Sequence, residues 1–322
     1  MGEDTTKQLD FALSRPLPLT LHPAGVYLSS LTPGSRRTTE KALSVIARLL
    51  TSNQCDALSL DWSKLRYQHT AAIRAIFIEK YSPATANRML CALRRVLKEC
   101  LRLGLISAQD YQSAIDLKRV RGDSETPRGR LLKPEEITAL LLNCKQDASA
   151  IGLRDAALIA VLSGCGLRRS EAVALEVKDF KRDDNLLKVL HGKGGKSRTV
   201  YLPPGAVGVV NDWLKIRGKS PGALICPVKR GGHIHIGHLT DQAVMAICLK
   251  RAETAKIEPF SPHDFRRTFI TRLLEAGVDV LTVCELAGHA NPATTQKYDL
   301  RSETAKREAV KFLNVLYENS GF

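Results

Sequence analysis

The sequence predicts a mainly α protein of two domains, the first helical throughout and the second α+β with one small β-sheet or hairpin. Three observations carry this expectation. Apolar residues recur at three- and four-residue spacing over most of 24–116. A polar stretch broken by Gly122, Pro127 and Gly129, KRVRGDSETPRGRLLKPEEI, then interrupts the pattern. Beyond Lys133 helical spacing resumes, broken by LLKVLHGKGGKSRTVYLP, which reads as two short strands around a Gly-rich turn. A chain of 322 residues is long enough for two such domains, each with its own core.

Residues 1–23 hold Pro16 and Pro18 and little periodicity, so they are expected to form a disordered or extended lead-in. Residues 24–117 are expected to be the helical domain. There GSRRTTEKALSVIARLL puts Ala42, Leu43, Ile46, Leu49 and Leu50 on one face. SPATANRMLCALRRVLKECLRLGLI does the same with Met89, Leu93, Val96, Leu97 and Leu101, opening on Ser82 as N-cap and Pro83 in the first turn. Residues 118–132 form a basic linker, and 133–322 the second domain, with helices at LKPEEITALL and RDAALIAVLSGCG, the hairpin, and helical text to the end. The last stretch, SETAKREAVKFLNVLYENSGF, aligns Ala305, Ala309, Phe312, Leu313 and Leu316 on one helix face. There is no internal repeat and no low-complexity tract.

Lys and Arg number 48 against 33 Asp and Glu, a net charge of +15. The pI is near 9.6, which suits a polyanionic partner. With no strong basic amphipathic segment, nucleic acid is the expected partner and not a membrane surface. The pairs Arg36-Arg37 and Arg94-Arg95, with Arg119 and Arg121 of the linker, are candidate phosphate contacts, although any one pair taken alone is more often a solvated helix face. The N-terminal text is neither a secretory signal nor an anchor, and no run approaches the ~20 apolar residues of a membrane span. Eight cysteines without a CxxC pair read as reduced thiols. A soluble protein of the cytoplasm is expected.

Four stretches carry chemistry. In GCGLRRSEAVAL a Gly-punctuated turn enters a helix at Arg168 and Arg169, with Glu171 one turn on; this suits either a phosphate or an Arg168–Glu171 pair at i,i+3. In HGKGGKSRTVYLP the P-loop spacing is not met, and a hairpin tip carries Lys193 and Lys196, placed to reach a groove, deliver a proton or stay in water. In HDFRRTFITRLLEAG, His263 and Arg266 share a helix face opposite a stripe of Phe265, Phe269 and Leu273, so both are expected to point away from the core. In ELAGHANPATTQKYD, His289 follows a helix ending at Gly288, and Tyr298 lies nine residues later, as a packing residue or a nucleophile. A tyrosine phenol keeps its proton at neutral pH, so nucleophilic use requires a neighbouring base or cations. GGHIHIGH offers His233, His235 and His238 to a metal but lacks carboxylate or cysteine partners at matched spacing, so neither metal nor cofactor is expected.

Taken together, these stretches resemble the tyrosine recombinases of the phage-integrase family. GLRRSE supplies Arg168, GKGGKSR Lys193, HDFR His263 and Arg266, LAGH His289, and TTQKY Tyr298, six positions in the family's order. The resemblance is strong over 133–300, and 24–117 matches the family's core-binding domain by character. Two departures are visible: Arg267 stands where the family often has histidine, and Leu286 is displaced by one in A-G-H. The resemblance implies a site-specific recombinase on double-stranded DNA, independent of metal and ATP. Tyr298 would form a 3'-phosphotyrosyl link and release a 5'-hydroxyl. Arg168 and Arg266 would fork onto the phosphate, Lys193 act as general acid with Lys196 in reserve, His263 as base or relay, and His289 as a donor to the phosphate. Glu171 would orient its neighbours and Arg267 touch the backbone. It implies integration, excision or transposition of a mobile element, a tetramer on two sites through the C-terminal helix that can be monomeric free of DNA, and association with the nucleoid. The competing readings are a DNA-relaxing topoisomerase of type IB and a DNA-binding protein that has lost catalysis.

Overall fold

The computed structural model describes residues 11–122, 129–190, 197–296, 298 and 310. The chain divides into two compact units, 1–126 and 127–322.

The first unit contains α1 (Pro23–Ser29), α2 (Pro33–Leu50), α3 (Tyr67–Lys80), α4 (Pro83–Arg102) and α5 (Ala108–Ile115). Three of these begin on proline, whose fixed φ suits a first turn and whose missing N–H is not needed there. α1 is capped by the buried His22, whose Nδ1 accepts from the Ala24 and Gly25 amides at 3.1 and 3.3 Å. The apolar stripe of α4, from Met89 through Leu93, Val96 and Leu97, is buried against Leu43 and Ile46 of α2 and against Trp62, Leu65, Ile73 and Phe77. Within the expected lead-in, Phe11 is buried, Ala12 bridges Leu60, and the Asp61 amide donates to the Phe11 carbonyl at 2.7 Å. At residues 11–13, therefore, the expected lead-in is extended and packed, because one aromatic side chain gives it a place in the core.

The second unit runs α6 (Pro134–Gln146), α7 (Ala150–Cys165), α8 (Arg169–Ala174), β1 (Phe180–Lys181), β2 (Leu186–Val189), β3 (Arg198–Tyr201), α9 (Pro204–Arg217), α10 (Asp241–Thr254), α11 (Pro262–Glu275), α12 (Val280–Ala287) and α13 (Pro292–Gln296). α7 is apolar on nearly every face and lies at the centre of the core, packed among α6, α9 and α11. It starts on Ser149, whose hydroxyl accepts from the Ile151 amide, and ends at Gly166 with φ +57°. The strands form an antiparallel sheet in the order β1-β2-β3, with Leu187 opposite Val200 and Val189 opposite Arg198. Two of the strands are the expected hairpin. β1 is a third that two residues of sequence do not announce. Among the described residues no helix is long and apolar enough to cross a membrane. Ala305–Leu316, the expected C-terminal helix face, lies outside the described residues except for Val310.

Candidate active site

The site is built at the junction of α8, β3, α11 and the end of α12. Arg168 is the N-cap residue of α8, and the helix loops its first turn back onto it: Glu171 Oε2 accepts from the Arg168 amide at 2.9 Å and Oε1 from its Nη1 at 2.6 Å. Glu171 is 3% exposed and also takes a bidentate fork from Arg198, Nη1 to Oε1 at 3.0 Å and Nη2 to Oε2 at 2.8 Å. Burial pushes the Glu171 carboxyl up, but the bonds from Arg198 and Arg168 outweigh it and hold the group below its ordinary range.

Three guanidiniums close over the end of α12. Arg198 Nε donates to the Leu286 carbonyl at 2.9 Å, Arg266 Nη2 to that of Ala287, and Arg168 Nη2 to that of Gly288 at 2.7 Å. A helix leaves its last carbonyls without partners in the helix and carries partial negative charge there, so cations are favoured. Gly288 permits the closure by turning left-handed at φ +64°. The next residue is His289, whose amide donates to the Cys284 carbonyl at 3.0 Å and whose Nδ1 lies 2.8 Å from the hydroxyl of Thr295, a buried residue.

Tyr298 completes the group. Its backbone is tied at both ends, the amide to the Thr295 carbonyl at 2.9 Å and the carbonyl to the Thr271 hydroxyl at 3.2 Å. Its ring packs on the small cluster of Ile270, Leu274, Val283 and Ala287. The hydroxyl lies 3.2 Å from His263 Nε2, the ring stacks on His289 at 6.0 Å and 17°, and the Arg267 guanidinium sits 5.4 Å from the ring centroid. Five of the six sequence-derived residues, Arg168, His263, Arg266, His289 and Tyr298, are thus set around one place. Lys193 and Lys196 lie outside the described residues.

One expectation is corrected. Arg266 does not point to solvent: it is 1% exposed, with Nη1 on the Gly166 carbonyl at 2.9 Å. Spacing put it on the face of His263 without saying which way that face turns, and its neighbours Phe269 and Leu273 are only half-buried. Burial first, and then Arg168, lowers the Arg266 guanidinium to about 10, so it remains charged. Burial, reinforced by Arg266 and Arg168, pushes His289 down to about 4, and burial with Arg266 and Arg267 also lowers His263. Both imidazoles are therefore neutral at pH 7.

Arg198 and Asp264 escaped the sequence reading. Arg198 shares the inward face of β3 with Val200, an alternation that marks it as a side chain turned to the interior. Asp264 sits at the capping-box position after Ser261, accepting from the Ser261 amide at 2.7 Å and from that of Arg130 at 3.0 Å. His233, His235 and His238 build no metal site. His238 Nδ1 contacts the Val173 carbonyl at 2.6 Å, and among the described residues no group of three or more His, Cys, Asp or Glu is placed to hold a metal.

In the first unit, Arg94 is half-buried, its Nε on the Ile115 carbonyl at 3.3 Å and its Nη2 on that of Leu117, so it ties the end of α5. Arg36 caps α1, reaching the Leu28 carbonyl at 3.0 Å, and Arg95 lies 3.8 Å from Glu99. Arg37, Arg119 and Arg121 are exposed.

Residues 130–304 match the family model of the phage integrase family, more than half of the chain. The chain belongs to the phage integrase family. Tyrosine recombinase XerC of Shewanella amazonensis is 33% identical over 245 residues, 74% of this chain and 77% of that protein. Tyrosine recombinase XerD of Mycobacterium leprae is 36% identical over 245 residues, 70% and 72% of the two chains. Among solved structures, the Tn1549 transposon integrase in complex with transposon right-end DNA superposes with TM-score 0.70 at 15% identity, covering 92% of this chain and 99% of that one. XerH bound to palindromic difH substrate does so with TM-score 0.59 at 22% identity, covering 86% and 76%. These structural likenesses speak to the fold, mainly helical with a small sheet. This integrase-family chain is a site-specific DNA recombinase, a DNA breaking and rejoining enzyme, and nothing in these relatives supports the DNA-relaxing alternative.

Proposed function

We propose that Tyr298 is the nucleophile of this recombinase and that Arg168, Arg266, His263 and His289 surround the scissile phosphate. The observation that carries the reading is the tyrosine hydroxyl 3.2 Å from His263 Nε2, at a site where Arg168 and Arg266 both reach the end of α12 and one buried carboxylate, Glu171, accepts from Arg168. That excess of positive charge suits a phosphodiester, whose non-bridging oxygens gain charge as phosphorus becomes five-coordinate. The phenol oxygen attacks phosphorus as its proton passes to His263; the bond to the 5'-oxygen breaks, and Lys193 protonates the leaving group. The 3'-phosphotyrosyl link conserves the diester for attack by a second 5'-hydroxyl, so no nucleotide is consumed. A guanidinium has five N–H groups, so anchoring Arg168 and Arg266 to backbone carbonyls leaves donors for the phosphate. His289, with Nδ1 on Thr295, has Nε2 left to donate to it.

Residues 24–117 act as the core-binding domain and 133–322 as the catalytic domain. Arg74, Lys118, Arg119 and Arg121 border a cavity of about 1260 Å³, and Arg37, Lys41 and Arg48 one of about 510 Å³, both basic surfaces suited to phosphate backbone. The working assembly is a tetramer on two DNA sites, joined through the C-terminal helix and acting on a mobile element. A covalent adduct with duplex DNA, present in the wild type and missing in Tyr298→Phe, tests the reading; an adduct that persists in the variant contradicts it.

A further inference from the structure

Arg198 belongs to none of the roles above, yet it joins two parts of the site, Glu171 and the end of α12. Its side chain is 11% exposed. It is the first residue of β3, opposite Val189 at the end of β2, and so stands at the base of the β2–β3 hairpin. From there one guanidinium makes three bonds in two directions, a fork onto both oxygens of Glu171 and an Nε–H to the Leu286 carbonyl. Glu171 in turn holds the Arg168 side chain and amide, and Leu286 lies three residues before His289. A Cβ built on Gly288 would come within 2.8 Å of Arg198 Nη1, so the turn that aims His289 is packed directly on this guanidinium.

We propose that Arg198 is a positioning residue of this recombinase: by bridging Glu171 and the Leu286 carbonyl it registers the base of the β2–β3 hairpin against Arg168 and the end of α12 that aims His289. The proposal rests on the reading of the site given above. Lysine would supply the charge without the fork that spans both carboxylate oxygens and the carbonyl, so charge and geometry can be separated. Arg198 also contributes to the depression of the His289 imidazole, behind burial, Arg266 and Arg168, which supplies a readout that loss of packing alone would not produce.

The test uses the full chain with Arg198→Gln and Arg198→Lys, read by single-turnover adduct formation on duplex substrate across pH, by DNA affinity, by melting, and by NMR titration of His289 without DNA. Arg198→Gln should slow adduct formation by about a hundredfold, the scale of a misplaced reacting group, with DNA affinity unchanged and the His289 titration moved to higher pH. Arg198→Lys should also be slow, with that titration near its wild-type position. A wild-type adduct rate in Arg198→Gln overturns the proposal, as does a slow rate accompanied by lost affinity and lower melting with His289 unmoved. If Arg198→Gln does not fold, Arg198→Lys decides: slow at wild-type melting supports the proposal, and a wild-type rate overturns it. A wild type that forms no adduct overturns the reading of the site and this proposal with it, whereas a wild-type adduct with unchanged variant rates overturns the role of Arg198 alone.

Discussion

Glu171 is the carboxylate on which the two arginines of α8 and β3 converge, and it is buried, so its loss leaves guanidiniums facing each other without compensation. Glu171→Gln is expected to cost about 3–5 kcal/mol of stability, the usual result of removing one partner of a buried ion pair, measured by denaturant unfolding, and to slow adduct formation as well. The histidines set a pH dependence. His289 is held near 4 against an ordinary 6.5, so the unfolded chain takes up that proton first. Stability is therefore full above about 6.5 and falls as pH drops from there toward 4, and the lowered His22, His69 and His263 act in the same direction. Melting temperatures measured from pH 7.5 down to 5 should decline steadily; a flat profile would show these imidazoles protonated in the folded chain. That Tyr298 and His263 would come together was legible from the motif stretches that hold them. The burial of Arg266 was not legible, since i,i+3 spacing pairs residues on a face without orienting that face.

The site depends on how its helices end. α7 stops at Gly166, whose positive φ and crowding, a built Cβ lying 2.3 Å from the Phe269 ring, leave no room for a side chain, while its carbonyl receives Arg266. Gly166→Ala is expected to destabilise by roughly 1–3 kcal/mol from overpacking and left-handed strain, seen as a lower melting temperature with reduced adduct formation. Pro83 at the first turn of α4 and Gly288 at the left-handed end of α12 made those two helix boundaries legible, and the short apolar runs around a Gly-rich stretch made β2 and β3 so. β1 escaped because two residues carry no alternation, and the packing at residue 11 escaped because it rests on a single aromatic, Phe11. Arg94 read as a surface charge because its carbonyl partners lie more than twenty residues away in sequence, at Ile115 and Leu117.

The net charge is +15 and the first unit presents basic surface around two cavities, so affinity for DNA should come largely from phosphate contacts. Binding is expected to weaken by on the order of 10³-fold or more between 50 and 200 mM salt if six or more phosphates are engaged, measured by fluorescence anisotropy on duplex DNA. Arg37→Ala should weaken binding alike on every sequence, as a backbone contact does. Chelator should leave strand cleavage unchanged, since the proposed chemistry draws its positive charge from arginine and lysine. Two-domain organisation and the DNA partner were legible from charge and the broken stretch at 118–137, whereas the bridge between hairpin and α12 exists only once β3 brings Arg198 to Glu171, 27 residues before it in sequence. The most direct test of the central claim is a denaturing gel of wild type and Tyr298→Phe after incubation with duplex substrate. A denaturant-resistant protein–DNA adduct in the wild type, joined at the 3'-phosphate and lost in Tyr298→Phe, is the predicted result; an adduct that survives the substitution, or cleavage that yields none in the wild type, would contradict it.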